Sequence, residues 1–304
     1  MKKFIILCLG LVFLTSCKKE DIVPVSIQQI SVAPVVVFDP FAALPKETAI
    51  PDSNFEKVLI DMNIDKILDG KVATANICYL TELLVIEPKG IQSIKGIESF
   101  ISLTKIRMEK QQLKEVDITK NINLDFLSFW DNRSLSKLDV SQNKKLSILV
   151  LSNVDMETID LSNNIALKHA EFGNIDYSEY GKTKGIKQID FSKNVNLERV
   201  YFANNRLKEL DLSKNPKITD VWYRDNPELT ALKLAGTTTL KLVFGENNPN
   251  LEFLDLKGSY PQSVRVTNNP KLKSIRVTSL SWLEAHIKYW GDVWSKDSHT
   301  TYIQ

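Results

Sequence analysis

Between Leu113 and Leu272 one phrase returns again and again: aliphatic or aromatic residues at its first, fourth and sixth positions, asparagine at its ninth. It stands as Leu135-Ser-Lys-Leu-Asp-Val-Ser-Gln-Asn143, as Ile186-Lys-Gln-Ile-Asp-Phe-Ser-Lys-Asn194 and as Leu207-Lys-Glu-Leu-Asp-Leu-Ser-Lys-Asn215. A unit this short cannot bury its own apolar residues. It buries them only against its neighbours, so the chain is expected to be a repeat solenoid, one elongated domain whose length comes from stacking.

The phrase resembles the leucine-rich repeat. Asn121 to Asn143 is one full coil, yet Asn132 falls between them, so the phrase occurs twice per coil. That arrangement resembles the nested, irregular class, with a unit of about twenty-one residues. Each phrase is expected to give one short parallel β-strand with its leucines inward. The asparagines would turn the chain and bond backbone groups that the turn leaves unpaired. The fold expected is a leucine-rich repeat solenoid over 103–279. A helical N-terminal cap with the first repeats precedes it (50–102), and an aromatic C-terminal cap follows (280–304).

Counted from the first leucine, positions 3, 5 and 7 point outward from a strand, and the two halves of the coil differ there. One half is uniform. Position 5 reads Asp117, Asp139, Asp160, Asp190, Asp211 and Asp255, broken by Lys233, and position 7 reads Thr119, Ser141, Ser162, Ser192 and Ser213. The expectation is a scaffold role, with Asp and Ser bonded to the turn backbone; the alternative is a carboxylate ladder for metal. The other half varies, and its outward positions hold Phe126, Trp130, Ile148, Val150, Tyr201, Trp222, Leu242 and Phe244, edged by Arg199, Arg224 and Arg265. One contiguous apolar, aromatic stripe is expected from them. Such a patch on a soluble surface marks a binding site, and Trp, Tyr and Arg are the common interface anchors. An insertion after Asn174 carries Tyr177 and Tyr180 and is a second candidate contact, since insertions in repeats become loops on one face.

Ser53-Asn-Phe-Glu56 fits a capping box, followed by Phe55, Val58, Leu59 and Met62 at helical spacing. Ile50-Pro-Asp-Ser-Asn-Phe55 resembles the opening of secreted bacterial leucine-rich domains. Ile91-Gln-Ser-Ile-Lys-Gly-Ile-Glu98 is similar to the first units of internalin-like domains. In some of those relatives a calcium-hand-like loop follows. Here Asp65, Asp69 and Gly70 match it, but Ile67 and Asn76 stand where oxygen ligands belong, so no ion is expected. Ser281-Trp-Leu-Glu284 reads as a second capping box, with Leu283, Ile287 and Trp290 as a core-facing stripe and Gly291 as the stop.

The N-terminus reads as an address. Met1-Lys-Lys precedes an apolar Phe4–Leu14 too short to span a bilayer, and Leu14-Thr-Ser-Cys17 resembles a bacterial lipobox, which implies a signal peptide over 1–16 and a lipid on Cys17. Lys18-Lys-Glu-Asp21 resembles the surface-export signal of Gram-negative lipoproteins. Acyl chains then supply the membrane affinity. Residues 17–49 read as an extended tether, with Pro24, Pro34, Pro40 and Pro45 opposing a helix. Removing Lys2 and Lys3 with the signal leaves 37 basic against 37 acidic residues. A near-neutral chain lacks the footprint of a nucleic-acid binder. Of three cysteines, only Cys78 lies in the repeat domain, so no internal disulfide is expected.

Nothing in the chain spells catalytic chemistry. His169, His286 and His299 lack metal-ligand spacing, and there is no nucleophile elbow, phosphate loop or dinucleotide fingerprint. No cofactor and no metal are expected. The expectation is a non-enzymatic, protein-binding lipoprotein on the outer membrane, at the cell surface. It would serve as an accessory subunit of a barrel assembly or as an adhesin-like receptor. The alternative is a glycan-binding module of a nutrient-uptake system, with Trp130, Tyr201 and Trp222 stacking on sugar rings.

Overall fold

A computed structural model describes Phe41 and residues 44–174, 184–234, 236–291 and 293–304. The signal segment, Cys17, most of the tether, and Tyr177 and Tyr180 lie outside the described residues.

In chain order the elements begin with β1 (Glu47–Ala49), α1 (Ser53–Asp61), β2 (Lys71–Ala73), α2 (Thr74–Ile77), β3 (Glu82–Val85), β4 (Lys105–Met108) and β5 (Phe126–Ser128). They continue with β6 (Ile148–Val150), β7 (His169–Glu171), β8 (Arg199–Tyr201), β9 (Glu209–Asp211), β10 (Asp220–Trp222), β11 (Ala231–Lys233) and β12 (Leu242–Phe244). The chain closes with β13 (Phe253–Asp255), β14 (Ser263–Val266), β15 (Ser274–Arg276), α3 (Leu280–Trp290), β16 (Trp294–Lys296) and β17 (Thr301–Ile303). A ten-stranded sheet runs β16-β14-β12-β10-β8-β7-β6-β5-β4-β3, and a five-stranded sheet runs β17-β15-β13-β11-β9. Pairing within both is parallel, coil on coil. The central residue of the short strands from β4 to β13, such as Leu127, Leu149, Val200 and Val221, is buried between the coils' two halves.

The variable half therefore gives one strand per phrase, as expected. The aspartate half does so only from β9 onward; the coils of Asp117, Asp139, Asp160 and Asp190 carry no strand there. The reason lies in the asparagines. Asn143 donates both amide hydrogens to the coil before it, to the Ile118 carbonyl (3.1 Å) and the Asn121 carbonyl (2.9 Å). Asn164, Asn194 and Asn215 repeat that pair. These side chains tie the coils where a backbone ladder otherwise would. After Asn215 the ninth position becomes Thr237 and then Ser259. Their hydroxyls bond Leu234 O and one another, and the backbone ladder between β9, β11, β13 and β15 takes over. Packing follows the switch. At the fourth position Val116, Leu138 and Ile189 are only part-buried, whereas Leu210, Leu232, Leu254 and Ile275 are fully buried.

In the variable half the coils of β4 to β14, all but that of Asn174, turn at the eighth position in the left-handed region: Lys110 (φ 55°), Asp131 (58°), Asn153 (56°), Asn204 (54°), Asp225 (60°), Asn247 (62°) and Asn268 (60°). Asn and Asp tolerate that conformation best among residues with a side chain. The doublets Asp131-Asn132, Asn204-Asn205 and Asn247-Asn248 are its sequence signature; in the aspartate half the later coils reach the same region through Gly236 (φ 82°) and Gly258 (86°). The sixth position of this half forms an inner spine of Phe129, Leu151, Phe172, Phe202 and Tyr223, with Phe172 and Phe202 stacked at 5.0 Å. Where the spine reaches Gly245, the Tyr223 ring occupies the space a Cβ would need.

Two helix starts differ from expectation. The cap of α1 is Asp52, not Ser53: its Oδ1 accepts from Asn54 and Phe55 N–H, and its Oδ2 accepts from Gln92 and Ser93 N–H. Asp52 thus stitches the helix to the first repeat. That frees Glu56, whose buried carboxylate accepts from the N–H groups of Asp69, Gly70 and Lys71 (2.9, 2.7 and 3.1 Å). The loop that resembles a calcium hand is wrapped around a carboxylate of its own chain. The cap of α3 is Ser279 rather than Ser281, accepting from Trp282 N–H, and Gly291 ends the helix at φ 73°. Leu283 is buried and Ile287 half-buried, but Trp290 is 63% exposed and Tyr289 79%. The expected core stripe therefore stops short of Trp290, because β16 and β17 add to both sheets and complete the last coil themselves. Glu47–Ala49, read as the end of the tether, pair with β2 and bury Thr48 against Thr74.

Candidate functional site

The outer face of the ten-stranded sheet carries two side-chain rows, because residues two apart on a strand share a face and neighbouring strands are in register. One row reads Lys105, Phe126, Ile148, His169, Arg199, Asp220, Leu242, Ser263; the other reads Arg107, Ser128, Val150, Glu171, Tyr201, Trp222, Phe244, Arg265. The expected residues do share this face, and each is half-buried or exposed. They do not form one continuous stripe. His169 and Glu171 on β7 divide Phe126, Ile148 and Val150 from Tyr201, Trp222, Leu242 and Phe244. Trp130 stands beyond the end of β5, with the Lys110 ammonium 5.5 Å from its ring.

The second aromatic group is the more organised. Tyr201 and Trp222 are 5.9 Å apart and tilted by 44°, and Trp222 meets Phe244 edge to face at 4.6 Å. The Arg265 guanidinium lies 5.3 Å from the Phe244 ring. Tyr201 is preset from below, since Gly173 on the preceding coil leaves the space its ring fills and a Cβ there would overlap the ring. Arg224 lies beside it, and its interaction with the tyrosine hydroxyl raises the guanidinium's pKa. Such edge-to-face and tilted pairs contribute about 0.5–1.5 kcal/mol beyond the area they bury.

Against these rings lies a depression of about 400 Å³ lined by His169, Glu171, Arg199, Val200, Tyr201, Asp220 and Trp222. Asp220 has a charged partner there and Glu171 a histidine. Arg199 is 3.6 Å from Asp220, and His169 is 3.8 Å from Glu171. Burial pushes the His169 imidazole below the usual histidine range, against the pull of Glu171, which favours its neutral form at pH 7. Glu171 also accepts from Ser152 Oγ (3.1 Å), and Asp220 from Thr219 Oγ1 (2.6 Å). His169, Glu171, Asp220 and Gly173 are the residues that looking for apolar anchors passes over. The signal for them is register: they occupy or flank the same third and fifth positions as the aromatics.

The aspartate half turns its polar groups inward on its own backbone. Asp117, Asp139, Asp160, Asp190 and Asp211 each accept from the N–H two residues on, at 2.7–3.0 Å. The Thr119 hydroxyl lowers the Asp117 pKa, and the Ser162 N–H lowers that of Asp160. Among the described residues no group of three His, Cys, Asp or Glu side chains is placed to hold a metal ion.

No family model matches the chain, and no curated protein matches it. Among solved structures, internalin C2 of Listeria monocytogenes is similar over 84% of this chain and 99% of its own, with 15% identity and a TM-score of 0.53. A second Listeria monocytogenes internalin aligns over 84% of this chain and 96% of its own at 13% identity and a TM-score of 0.43. The leucine-rich repeat domain of APL1B covers 65% of each chain at 17% identity and 0.39. The internalin C2 match shows the fold: a parallel-strand solenoid of the leucine-rich repeat type, internalin-like in its course.

Proposed function

We propose that this chain is a non-enzymatic binding protein that engages a protein partner through the outer face of its ten-stranded sheet. The observation that carries the reading is the run Tyr201, Trp222, Phe244 on consecutive coils, partly exposed, with Gly173 beneath Tyr201 and with Arg224 and Arg265 beside the rings. A fold does not need these rings outside; its core is already closed by the leucines and the inner phenylalanines. Rigid aromatics backed by arginine are the composition of interface hot spots, and preset side chains lose less entropy on binding.

The same proposal places the protein on the outer surface of a Gram-negative outer membrane. Support comes from Leu14-Thr-Ser-Cys17, with lipid on Cys17, and from the Lys18–Asp21 run. The partner is then an outer-membrane barrel whose assembly this chain joins, or a surface protein of another cell that it grips as an adhesin. Helix α1, whose Phe55 packs on Phe100, and the last coil with α3 would shield the two ends of the stack, as a solenoid requires.

The test is gentle detergent extraction with a C-terminal tag, comparing the native chain with the Tyr201→Ala, Trp222→Ala double variant. Recovery of a stoichiometric partner that the double variant loses, with an unchanged unfolding midpoint, supports the reading. Equal recovery by both discards this face. Cys17→Ala should move the protein from the membrane to the soluble fraction; persistence in the membrane would rule out the lipid anchor.

A further inference from the structure

The depression on β7, β8 and β10 says more than that the face binds something. Its volume, about 400 Å³, lies in the range of small-ligand sites, so it takes a compact group rather than a flat protein surface. Two aromatic rings border it, and Gly173 leaves the space that the Tyr201 ring fills. An aromatic face is electron-rich and attracts the weakly positive C–H bonds of a ring laid against it.

The polar groups narrow the choice. Arg199 lies 3.6 Å from Asp220, and His169 is pushed toward its neutral form, which leaves Glu171 as the surplus charge of the lining. A surplus carboxylate disfavours an anionic ligand, and the Arg199 guanidinium beside it disfavours a bare cation. An aliphatic side chain is excluded for a different reason: it would strip water from Glu171 and Asp220 and return no hydrogen bond. A ligand that fits must present an apolar ring face to Trp222 and both donors and acceptors to the charged groups. Carboxylates and guanidinium answer adjacent hydroxyls in this way.

We infer that this depression is a subsite for one ring of a neutral saccharide. The inference rests on the reading of this face as the binding surface and names a chemical class that it recognises. The ring comes from a free polysaccharide or from a glycan carried by the protein partner. The depression holds the sugar; Phe244 and Leu242 lie beside it, on the coil beyond Trp222.

The experiment titrates the full chain with neutral oligosaccharides (hexamers of glucose, mannose, galactose and N-acetylglucosamine), following tryptophan fluorescence and calorimetry. Trp222→Ala and the near-isosteric Glu171→Gln are run beside Phe244→Ala, with unfolding midpoints measured for each. Binding to at least one neutral series, weakened about tenfold or more by Trp222→Ala and Glu171→Gln and less by Phe244→Ala, establishes the subsite. Silence toward every neutral saccharide overturns it, as does a preference for polygalacturonate or polylysine. If the Tyr201, Trp222 double variant loses a protein partner while no sugar binds, the saccharide subsite falls and the protein-binding reading stands. Where a partner is in hand, enzymatic removal of its glycans separates the two sources. Capture lost on deglycosylation places the sugar on the partner; capture retained, with oligosaccharide binding intact, places it on a free glycan.

Discussion

The two halves of each coil are written in the same phrase and put to opposite uses. In the aspartate half the polar side chains answer the backbone: Asp160 accepts from Ser162 N–H, and Asn164 donates twice to the coil before it. The backbone uses these residues, so they recur; where Thr237 and Ser259 replace the asparagine, the strand ladder carries the pairing instead. In the variable half the leucines and asparagines meet the same demands, but the third and fifth positions, apart from buried Ser128, lie half-buried or exposed on the outer face. Aromatics, a histidine, acids and arginines collect there. Within one repeat protein, uniformity marks what the backbone requires and variety marks what is left free for recognition.

The sharpest way to break this comparison is to remove one asparagine from the uniform half. Asn164→Ala takes from each of the Val140 and Asn143 carbonyls one of two donors, leaving the N–H groups of Asn143 and Leu146. Two hydrogen bonds at about 0.5–1.5 kcal/mol each put the expected loss at up to about 3 kcal/mol, read as a lower urea midpoint with little change in slope. Ser259→Ala, at the equivalent position where the strand ladder has taken over, should cost less than about 1 kcal/mol. Equal losses would mean that the asparagine bridges do not replace the ladder.

A second contrast lies at the fourth position. Leu232 is fully buried between β9 and β13, while Leu138 sits part-buried in a coil without a strand. Leu232→Ala is expected to destabilise by about 3 kcal/mol and Leu138→Ala by about 1 kcal/mol, since the cost of truncation follows the apolar area and cavity left behind. Chemical denaturation of the two variants measures it.

How much of this could be read beforehand follows the same division. Leucines at fixed spacing, the two phrases per coil and the inward and outward alternation all have a period, and a period survives in the letters. The order of residues along the outer face was legible too, since His169 and Glu171 stand in the third and fifth positions of their phrase. What the letters hide is pairwise. Nothing local in Glu56 says that it turns to the amides of Asp69, Gly70 and Lys71 instead of its own helix start. Nothing in Trp290 says that β16 and β17 will close the last coil without it. The switch from asparagine bridges to a strand ladder was present as Asn215, Thr237 and Ser259, but its meaning depends on which carbonyls lie within reach.

Gly173 tests whether the variable half is shaped as well as free. A methyl group there meets the Tyr201 ring, so Gly173→Ala should swing the tyrosine away and weaken capture of the partner about tenfold. The cost in stability should be only about 1 kcal/mol, because the ring is half-buried and can move outward. If binding survives and stability falls by several kcal/mol, Tyr201 belongs to the scaffold and not to the recognition surface.

The smallest expected effect concerns the charges of the uniform half. Asp117 and Asp160 hold folded-state pKa values below the usual carboxylate range, through the Thr119 hydroxyl and the Ser162 N–H respectively. A carboxyl whose pKa is lowered on folding contributes stability that is fully present above its unfolded value of about 3.9 and is lost as pH falls through the folded value. The thermal midpoint should therefore hold from pH 7 to about 5 and decline below about 4. Asp160→Asn keeps an oxygen for the Ser162 N–H and removes only the charge. Its midpoint should lie slightly under that of the native chain at pH 7 and meet it near pH 2, where the native carboxyl is neutral as well. The turn is exposed, so water screens most of the charge, and the gap at pH 7 should be no more than a degree or two. A gap that widens in acid would reverse the sign of the argument and assign the aspartates a role other than accepting the turn's hydrogen bonds.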